Sequence, residues 1–486
     1  MNAPILRLFG VVLVLFAALA GMTSYNSVIN AKQYADNPKN KRGQIEQARV
    51  KRGVIRARDG SLLAHSVLGT GRNGCQSDLY CRRYTPEAQR FAHVLGYDYG
   101  LTIGRAGLEQ TDNDALTGKS NAVSSVIDGL SGKRKVGDDV ITNLDPDAQR
   151  VALAALGGRR GSVVAIEPAT GKVRVMASTP GYDPSALRDA RVYTRLSSAA
   201  NSPLFDRATQ AGYVPGSTMK VVTAAAALDS GKFTPDSTLS GKSPIIVSGV
   251  PLKNFGDEQY GSITLTTALT HSVNTVFAPV AVKLGHATMA KYMKRFGFGS
   301  DPPLDYPDAQ MVPSGIFDTT KQKLISPDSS SVDIGRVGIG QERLRVTPLQ
   351  MATVAATVAN GGVRMKPRIT NRIVDQDGRT VKRIQPAVAA RVMSRETAAE
   401  LTEMMSQVVK EGTGTAAALQ GIEVAGKTGT AELNIAKGID QPWFIGFAPR
   451  EDPKIAVAVT LENIVGGQGG IVAAPIAKQV MESLLR

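Results

Sequence analysis

Gly421-Ile-Glu-Val-Ala-Gly-Lys-Thr-Gly-Thr-Ala-Glu-Leu433 admits two incompatible folds. Its first eight residues satisfy G-x-x-x-x-G-K-[ST], a loop that cradles phosphates where a strand gives way to a helix. Lys427-Thr428-Gly429-Thr430 also fits a strand that walls a serine acyl-transfer site. Ile422-Glu-Val-Ala425 is extended in character, and Gly429 is a poor residue with which to open a helix. The strand reading is therefore adopted, and the rest of the chain has to support it.

Neighbouring segments read as partners for that strand. Trp443–Phe447 and Ile455–Leu461 are apolar runs joined by loops too short for parallel crossovers, so the sheet is expected to be antiparallel. Upstream of them, Ser394 reads as an N-cap, with Leu401, Met404, Met405, Val408 and Val409 on one helical face and Gly412 as a stop. Ser162–Glu167 and Lys172–Ala177, joined by Pro-Ala-Thr-Gly, predict a hairpin. Asp145 to Leu156, closed by Gly157-Gly158, predicts a helix. Asp59-Gly60 predicts a second hairpin between Gly53–Arg58 and Ser61–Ala64. Residues 119–137 read as a loop, and the main domain boundary is placed near residue 158.

The chemistry is legible in Tyr213-Val-Pro-Gly-Ser-Thr-Met-Lys-Val-Val-Thr-Ala-Ala-Ala-Ala-Leu-Asp-Ser-Gly231. A helix starting at Ser217 would be apolar all round and hence internal. Ser217 and Lys220, three apart, share one face of it. A serine hydroxyl attacks only when a nearby base takes its proton, and a buried lysine beside a second cation is neutral enough to be that base. About one or two S-x-x-K tetrads occur by chance in a chain of this length. The pair gains weight from two later motifs. Ser272-Val273-Asn274 supplies a hydroxyl and an amide for proton relay and orientation. Lys427 supplies the second cation, beside strand N–H groups suited to an extended acyl donor.

These motifs, in the order S-x-x-K, S-x-N, K-T-G, resemble the class B penicillin-binding proteins. The likeness extends from about residue 50 to 485. Arg52-Gly53-x-Ile55-x-x-Arg58-Asp59-Gly60 and Gly107-Leu108-Glu109 resemble that family's pedestal. Gly161 to Pro184, Thr347–Ala352, Asn360-Gly361-Gly362, Gly412–Thr415 and Trp443–Phe447 resemble its transpeptidase domain. The resemblance implies an α+β, multidomain chain: membrane anchor (1–31), elongated mixed α/β pedestal (32–158) and penicillin-binding domain (159–486) with an antiparallel sheet flanked by helices. It implies a D,D-transpeptidase of peptidoglycan stem peptides ending in D-Ala-D-Ala, inhibited by β-lactams. Ser217 would be the acylated nucleophile and Lys220 its base. Ser272, Asn274 and Lys427 would assist catalysis, with Thr428, Gly429 and Thr430 binding the donor. It also implies a membrane glycan polymerase as partner. The segment before residue 158 holds no glycosyltransferase motif, which points to transpeptidation only. One departure is Glu342, where the family commonly carries glycine after Gly340-Gln341.

Rival readings remain open at this point. A D,D-carboxypeptidase, a β-lactamase or a β-lactam sensor would differ in what attacks the acyl-enzyme, and a non-catalytic envelope scaffold would need no attack at all. A Ser-His-Asp hydrolase fits poorly. The chain has only His65, His93, His271 and His286, and no G-x-S-x-G surrounds Ser217.

Compartment follows from the N-terminus. Leu8–Met22 is almost wholly apolar, and no charged residue occurs from Leu8 to Ala31. An uncleaved single-pass anchor is the reading adopted, with cleavage after Ala18-Leu-Ala20 as the alternative. Residues 32–58 carry nine Lys or Arg against two acidic residues. By the positive-inside rule alone that segment would be cytoplasmic. The cysteine pair and the acyl-transfer motifs place it outside instead. The net charge of +15 suits an anionic envelope better than nucleic acid, since aromatics are only 5% and none alternates with a basic run. Cys75 and Cys81 are expected to close a small disulfide loop. They are too few for a zinc site, so neither metal nor cofactor is expected.

Overall fold

The structure is a computed structural model that describes residues 2–30, 42–71, 75–100, 102–119, 136–318, 320 and 323–486. Most of the expected 119–137 loop, and part of the basic 32–58 stretch, lie outside these residues.

Helix α1, Asn2–Ser24, runs on through a π-helical turn at Tyr25–Ile29. Ala3–Ile29 is long and apolar enough to cross a membrane, with mean hydropathy 2.4 and its side chains exposed.

A six-stranded sheet follows. Strands β1 (Ile55–Arg56) and β2 (Leu62–Leu68) form the expected Asp59-Gly60 hairpin, with Ile55 opposite Ala64. Strand β3, Tyr80–Tyr84, pairs with β2, and the Cys75–Cys81 disulfide is formed where this strand begins. Strand β4, Asp139–Thr142, lies parallel to β1. Beneath the sheet, Glu109 is fully buried between Arg52 and Arg82, at 3.1 and 2.5 Å. A buried carboxylate requires such pairing.

Helix α2, Pro146–Leu156, is capped by the Asp145 carboxylate, which accepts from Ala148 N, and stops at Gly157 with φ +60°. Strands β5 (Gly161–Ile166) and β6 (Val173–Thr179) form the second expected hairpin. A 3₁₀ turn at Gly216–Met219 leads into α3, Lys220–Asp229. Next come α4 (Leu265–Thr270), α5 (Asn274–Leu284) and α6 (Pro348–Ala359).

The chain then returns to the first sheet. Strand β7, Thr370–Val374, pairs with β4, and β8, Thr380–Arg383, pairs with β7, so the order is β8-β7-β4-β1-β2-β3. Helix α7, Arg395–Lys410, is capped by Ser394 Oγ, which accepts from Thr397 N.

Strands β9 (Ala425–Asn434), β10 (Ile439–Ala448) and β11 (Ile455–Leu461) complete the second sheet, in the order β9-β10-β11-β5-β6. Every pairing in it is antiparallel. Helix α8, Ala474–Leu485, ends the chain.

Both faces of this sheet are covered. Val163, Ala165, Val457 and Val459 pack with Ala148, Ala152, Ile476 and Val480 of α2 and α8. Val164, Ile166, Ala456 and Ala458 face the opposite way, into the core shared with α3 to α7. Successive strand residues point to opposite faces, so a sheet buried on both sides has continuous apolar strands. Helix α7 lies along β9 and packs also against α3, α4 and α6. Strand β9 is thus an edge held in place by a helix, with its other edge free to meet the turn at Ser217.

Candidate active site

Three stretches far apart in sequence converge where β9 meets the 3₁₀ turn. The sequence placed the start of the helix at Ser217; the regular α-helix begins at Lys220 instead. The 3₁₀ form has three residues per turn and stacks positions i and i+3, which brings Ser217 and Lys220 directly together. Lys220 Nζ lies 3.0 Å from Ser217 Oγ.

Four other contacts fix that turn. Gly216 N donates to Gly340 O at 3.0 Å, and Thr218 Oγ1 donates to Pro215 O at 2.8 Å. The Trp443 indole N–H donates to Val214 O at 2.9 Å. At Gly429, a β-carbon would stand 2.8 Å from Pro215 O and 3.0 Å from Thr218 Cγ2. Glycine there lets strand and turn touch.

Lys220 is completely buried. Its Nζ is 2.6 Å from Ser272 O, 2.7 Å from Asn274 Oδ1 and 3.2 Å from Ser272 Oγ. Asn274 Nδ2 donates to Lys253 O at 3.1 Å, which orients the amide with its oxygen toward the lysine. Ser272 has φ +60°, a left-handed conformation uncommon outside glycine, and through it both its carbonyl and hydroxyl reach Nζ. Burial, aided by the charge of Lys427, pushes the Lys220 pKa far below its usual value. A neutral amine has two protons to donate and one lone pair. Ser272 O and Asn274 Oδ1 only accept, so they take the two protons, and the lone pair is left for a hydroxyl. Ser217 is thereby set up to donate to Lys220.

On β9, Lys427 is fully buried and donates to Thr428 O at 3.0 Å. Burial brings its pKa down to about 7. The Thr428 hydroxyl is 2.6 Å from that of Thr413, and Thr430 Oγ1 accepts from Gly469 N at 3.1 Å. Ser217, Ser272, Asn274, Thr428, Gly429 and Thr430 line one open cleft of about 1150 Å³. Lys427 sits behind its wall. All eight residues singled out from sequence meet here, and Thr428 lies mid-strand with no helix following it. That excludes the phosphate-loop reading.

Other contributors were not singled out as site residues. Asn254 braces the Ser272–Asn274 loop, accepting from both Thr275 N and Thr275 Oγ1. Gly340 has φ +78°, and a β-carbon there would fall 1.8 Å from Gly216 O. Glu342 takes up φ +66°, the conformation for which glycine is the unstrained choice, and pairs with Arg343 at 3.1 Å. His271 is exposed at the rim and stacks on Tyr260, while the amine that reaches Ser217 Oγ is that of Lys220. Among the described residues no cluster of three or more His, Cys, Asp or Glu is placed to hold a metal ion.

Comparison with known proteins places this geometry. Residues 161–482 match the family described as penicillin binding protein transpeptidase domain. Residues 52–140 match the penicillin binding protein A dimerisation domain. The chain is 33% identical to peptidoglycan D,D-transpeptidase PbpA of Mycolicibacterium smegmatis, an alignment covering 100% of this chain and 99% of the relative. It is 32% identical to PbpA of Mycobacterium tuberculosis over the same shares. The solved structure of penicillin-binding protein A from M. tuberculosis as a ceftriaxone acyl-enzyme superposes with a TM-score of 0.81 at 32% identity. That superposition covers 91% of this chain and 100% of the other.

Proposed function

Since this chain belongs to the penicillin-binding protein transpeptidase family, we propose that it is a peptidoglycan D,D-transpeptidase acting through an acyl-enzyme on Ser217. The observation that carries the reading is the set of atoms around Lys220 Nζ: two pure acceptors for its protons and the Ser217 hydroxyl at 3.0 Å for its lone pair.

Lys220 takes the Ser217 proton as Oγ attacks the carbonyl between the two D-alanines of a stem peptide. The C–N bond breaks, the proton passes to the departing D-alanine amine, and an ester on Ser217 remains. An amine of a neighbouring stem peptide then attacks the ester. Its proton returns through Lys220 and the adjacent Ser272 hydroxyl to Ser217 Oγ. The N–H groups of Ser217 and Thr430 stabilise the oxyanion in both steps. The hydroxyls of Thr428 and Thr430 receive the donor's terminal carboxylate, and the charge of Lys427 behind the wall attracts it. A β-lactam enters by the same route, but its leaving nitrogen stays tethered, so the ester persists.

The division near residue 158 separates this catalytic part from the pedestal, except that β7 and β8 return to the pedestal's sheet. The apolar Ala3–Ile29 helix anchors the chain in the cell membrane with the catalytic part outside the cytoplasm. A membrane glycan polymerase, which would supply the strands to be cross-linked, is the partner of the anchor and pedestal. The apolar helix and the family membership support the anchor.

Intact-mass spectrometry of residues 32–486 after exposure to benzylpenicillin tests the function. One drug mass should be added to the parent protein and none to Ser217→Ala. Absence of an adduct on the folded parent sinks the reading, and rapid drug hydrolysis without an adduct identifies a β-lactamase instead.

A further inference from the structure

Glu462 lies just beyond the last residue of β11, outside the cleft, yet it gathers three side chains. One carboxylate oxygen accepts from Tyr213 Oη at 2.6 Å and from Arg207 Nε at 2.7 Å; the other pairs with Arg160 Nε at 2.6 Å. The site is built. The Glu462 and Arg207 side chains are 9% and 1% exposed, and Arg207 is further tied to the carbonyls of Asn201 and Ser202 at 3.1 and 3.2 Å. A buried guanidinium on one oxygen and a more exposed one on the other hold the carboxylate in place.

Tyr213 is where this rigid cluster touches the catalytic turn. Its backbone exchanges two hydrogen bonds with Val346, at 2.9 and 2.8 Å. Its ring stands edge-on to Trp443, the centroids 6.1 Å apart. That indole in turn holds Val214 O, three residues before the nucleophile. The side chain of Tyr213 therefore sets one end of Tyr213–Ser217, and the Gly216–Gly340 contact sets the other.

We propose that Glu462 is a positioning residue for acylation: through the Tyr213 hydroxyl it holds the Val214–Ser217 turn so that Ser217 Oγ meets both Lys220 and the attacked carbonyl. The role rests on the acyl-transfer function proposed above. It concerns the rate of the covalent step rather than the capture of ligand, because none of the three partners lines the cleft. Small displacements of a nucleophile are costly, a shift of about 1 Å lowering rates by up to about a hundredfold.

The test compares residues 32–486 as parent, Tyr213→Phe, Glu462→Gln and the double variant. Stopped-flow acylation by a chromogenic cephalosporin separates reversible binding from the covalent rate constant. Each single variant should lose about tenfold or more in the covalent rate constant, with the binding constant within about twofold of the parent. The double variant should lose no more than the worse single one, since both act through one hydrogen bond. Trp443 is the chain's only tryptophan, so its emission should shift in every variant while the melting temperature of Tyr213→Phe stays near the parent's. Parent-like acylation by Tyr213→Phe overturns the proposal, as does additive loss in the double variant. A parent that is never acylated would instead sink the functional reading.

Discussion

Lys220 and Lys427 are the only two fully buried lysines near the cleft, and no carboxylate is paired with either among the described residues. Each is kept from its usual charge by burial, and the sign of the consequence can be worked out. Acylation needs neutral Lys220, which exists above its depressed pKa, so the acid limb of the pH profile belongs to Lys220. Recognition of an anionic donor needs protonated Lys427, which is lost as pH rises through about 7. The second-order rate constant for acylation, a property of the free enzyme, should therefore begin to fall on the alkaline side near pH 7. Lys427→Met removes a cation that disfavours the charged form of Lys220. It should move the acid limb to higher pH and abolish the alkaline limb, together with a weakening of binding. A stopped-flow pH series on both proteins decides this, and an acid limb unmoved in Lys427→Met would show that the two amines are not coupled. Ser217 and Lys220 were legible in the sequence because polar groups in an all-apolar helix demand a partner. Asn254 and Gly340 were not, because their importance lies in contacts with residues 21 and 124 positions away, which no local pattern encodes.

The nucleophile turn is a junction of elements, and glycine permits it. Gly340 combines φ +78° with a β-carbon position 1.8 Å from Gly216 O, so Gly340→Ala cannot be absorbed by rotating a side chain. The expected result is a loss of about 2–4 kcal/mol of stability and a slowed covalent step, read by thermal unfolding and acylation kinetics on one preparation. Unchanged acylation would show that the Gly216–Gly340 hydrogen bond does not position the serine. Elements with strong local signals were legible. Both hairpins appear with their Asp-Gly and Thr-Gly turns, and α7 appears with its Ser394 cap and its apolar face at Leu401, Met404, Met405, Val408 and Val409. The 3₁₀ start at Gly216 was missed because 3₁₀ and α turns share sequence preferences, and tertiary contacts choose between them.

At the scale of the molecule, the pedestal sheet is not made from one continuous piece of chain. Strand β4 lies between β1, which precedes it by some eighty residues, and β7, which follows it by more than two hundred. The return strand is held firmly. Asn143 N donates to Ile369 O at 2.7 Å, and the Asn143 amide donates to Arg368 O and Thr370 O. Asp305 accepts from Ile369 N and Thr370 N at 2.6 and 2.8 Å, and Thr370 Oγ1 donates to Asp112 at 2.8 Å. Hydrophobic periodicity could not reveal this, since the pattern of a five-residue strand does not name the strand it pairs with. Without β7, β4 becomes an open edge with unpaired N–H and C=O groups, and Ile141 and Val140 lose cover on one side. A fragment of residues 32–158 should therefore lack a cooperative thermal transition and should associate, whereas residues 32–486 unfold cooperatively. Appending residues 366–386 to the fragment through a flexible linker should restore a measurable transition, because it returns the missing hairpin to the sheet. A fragment of 32–158 that melts cooperatively as a monomer would show that the pedestal folds by itself and that β7 and β8 only dock onto a finished edge.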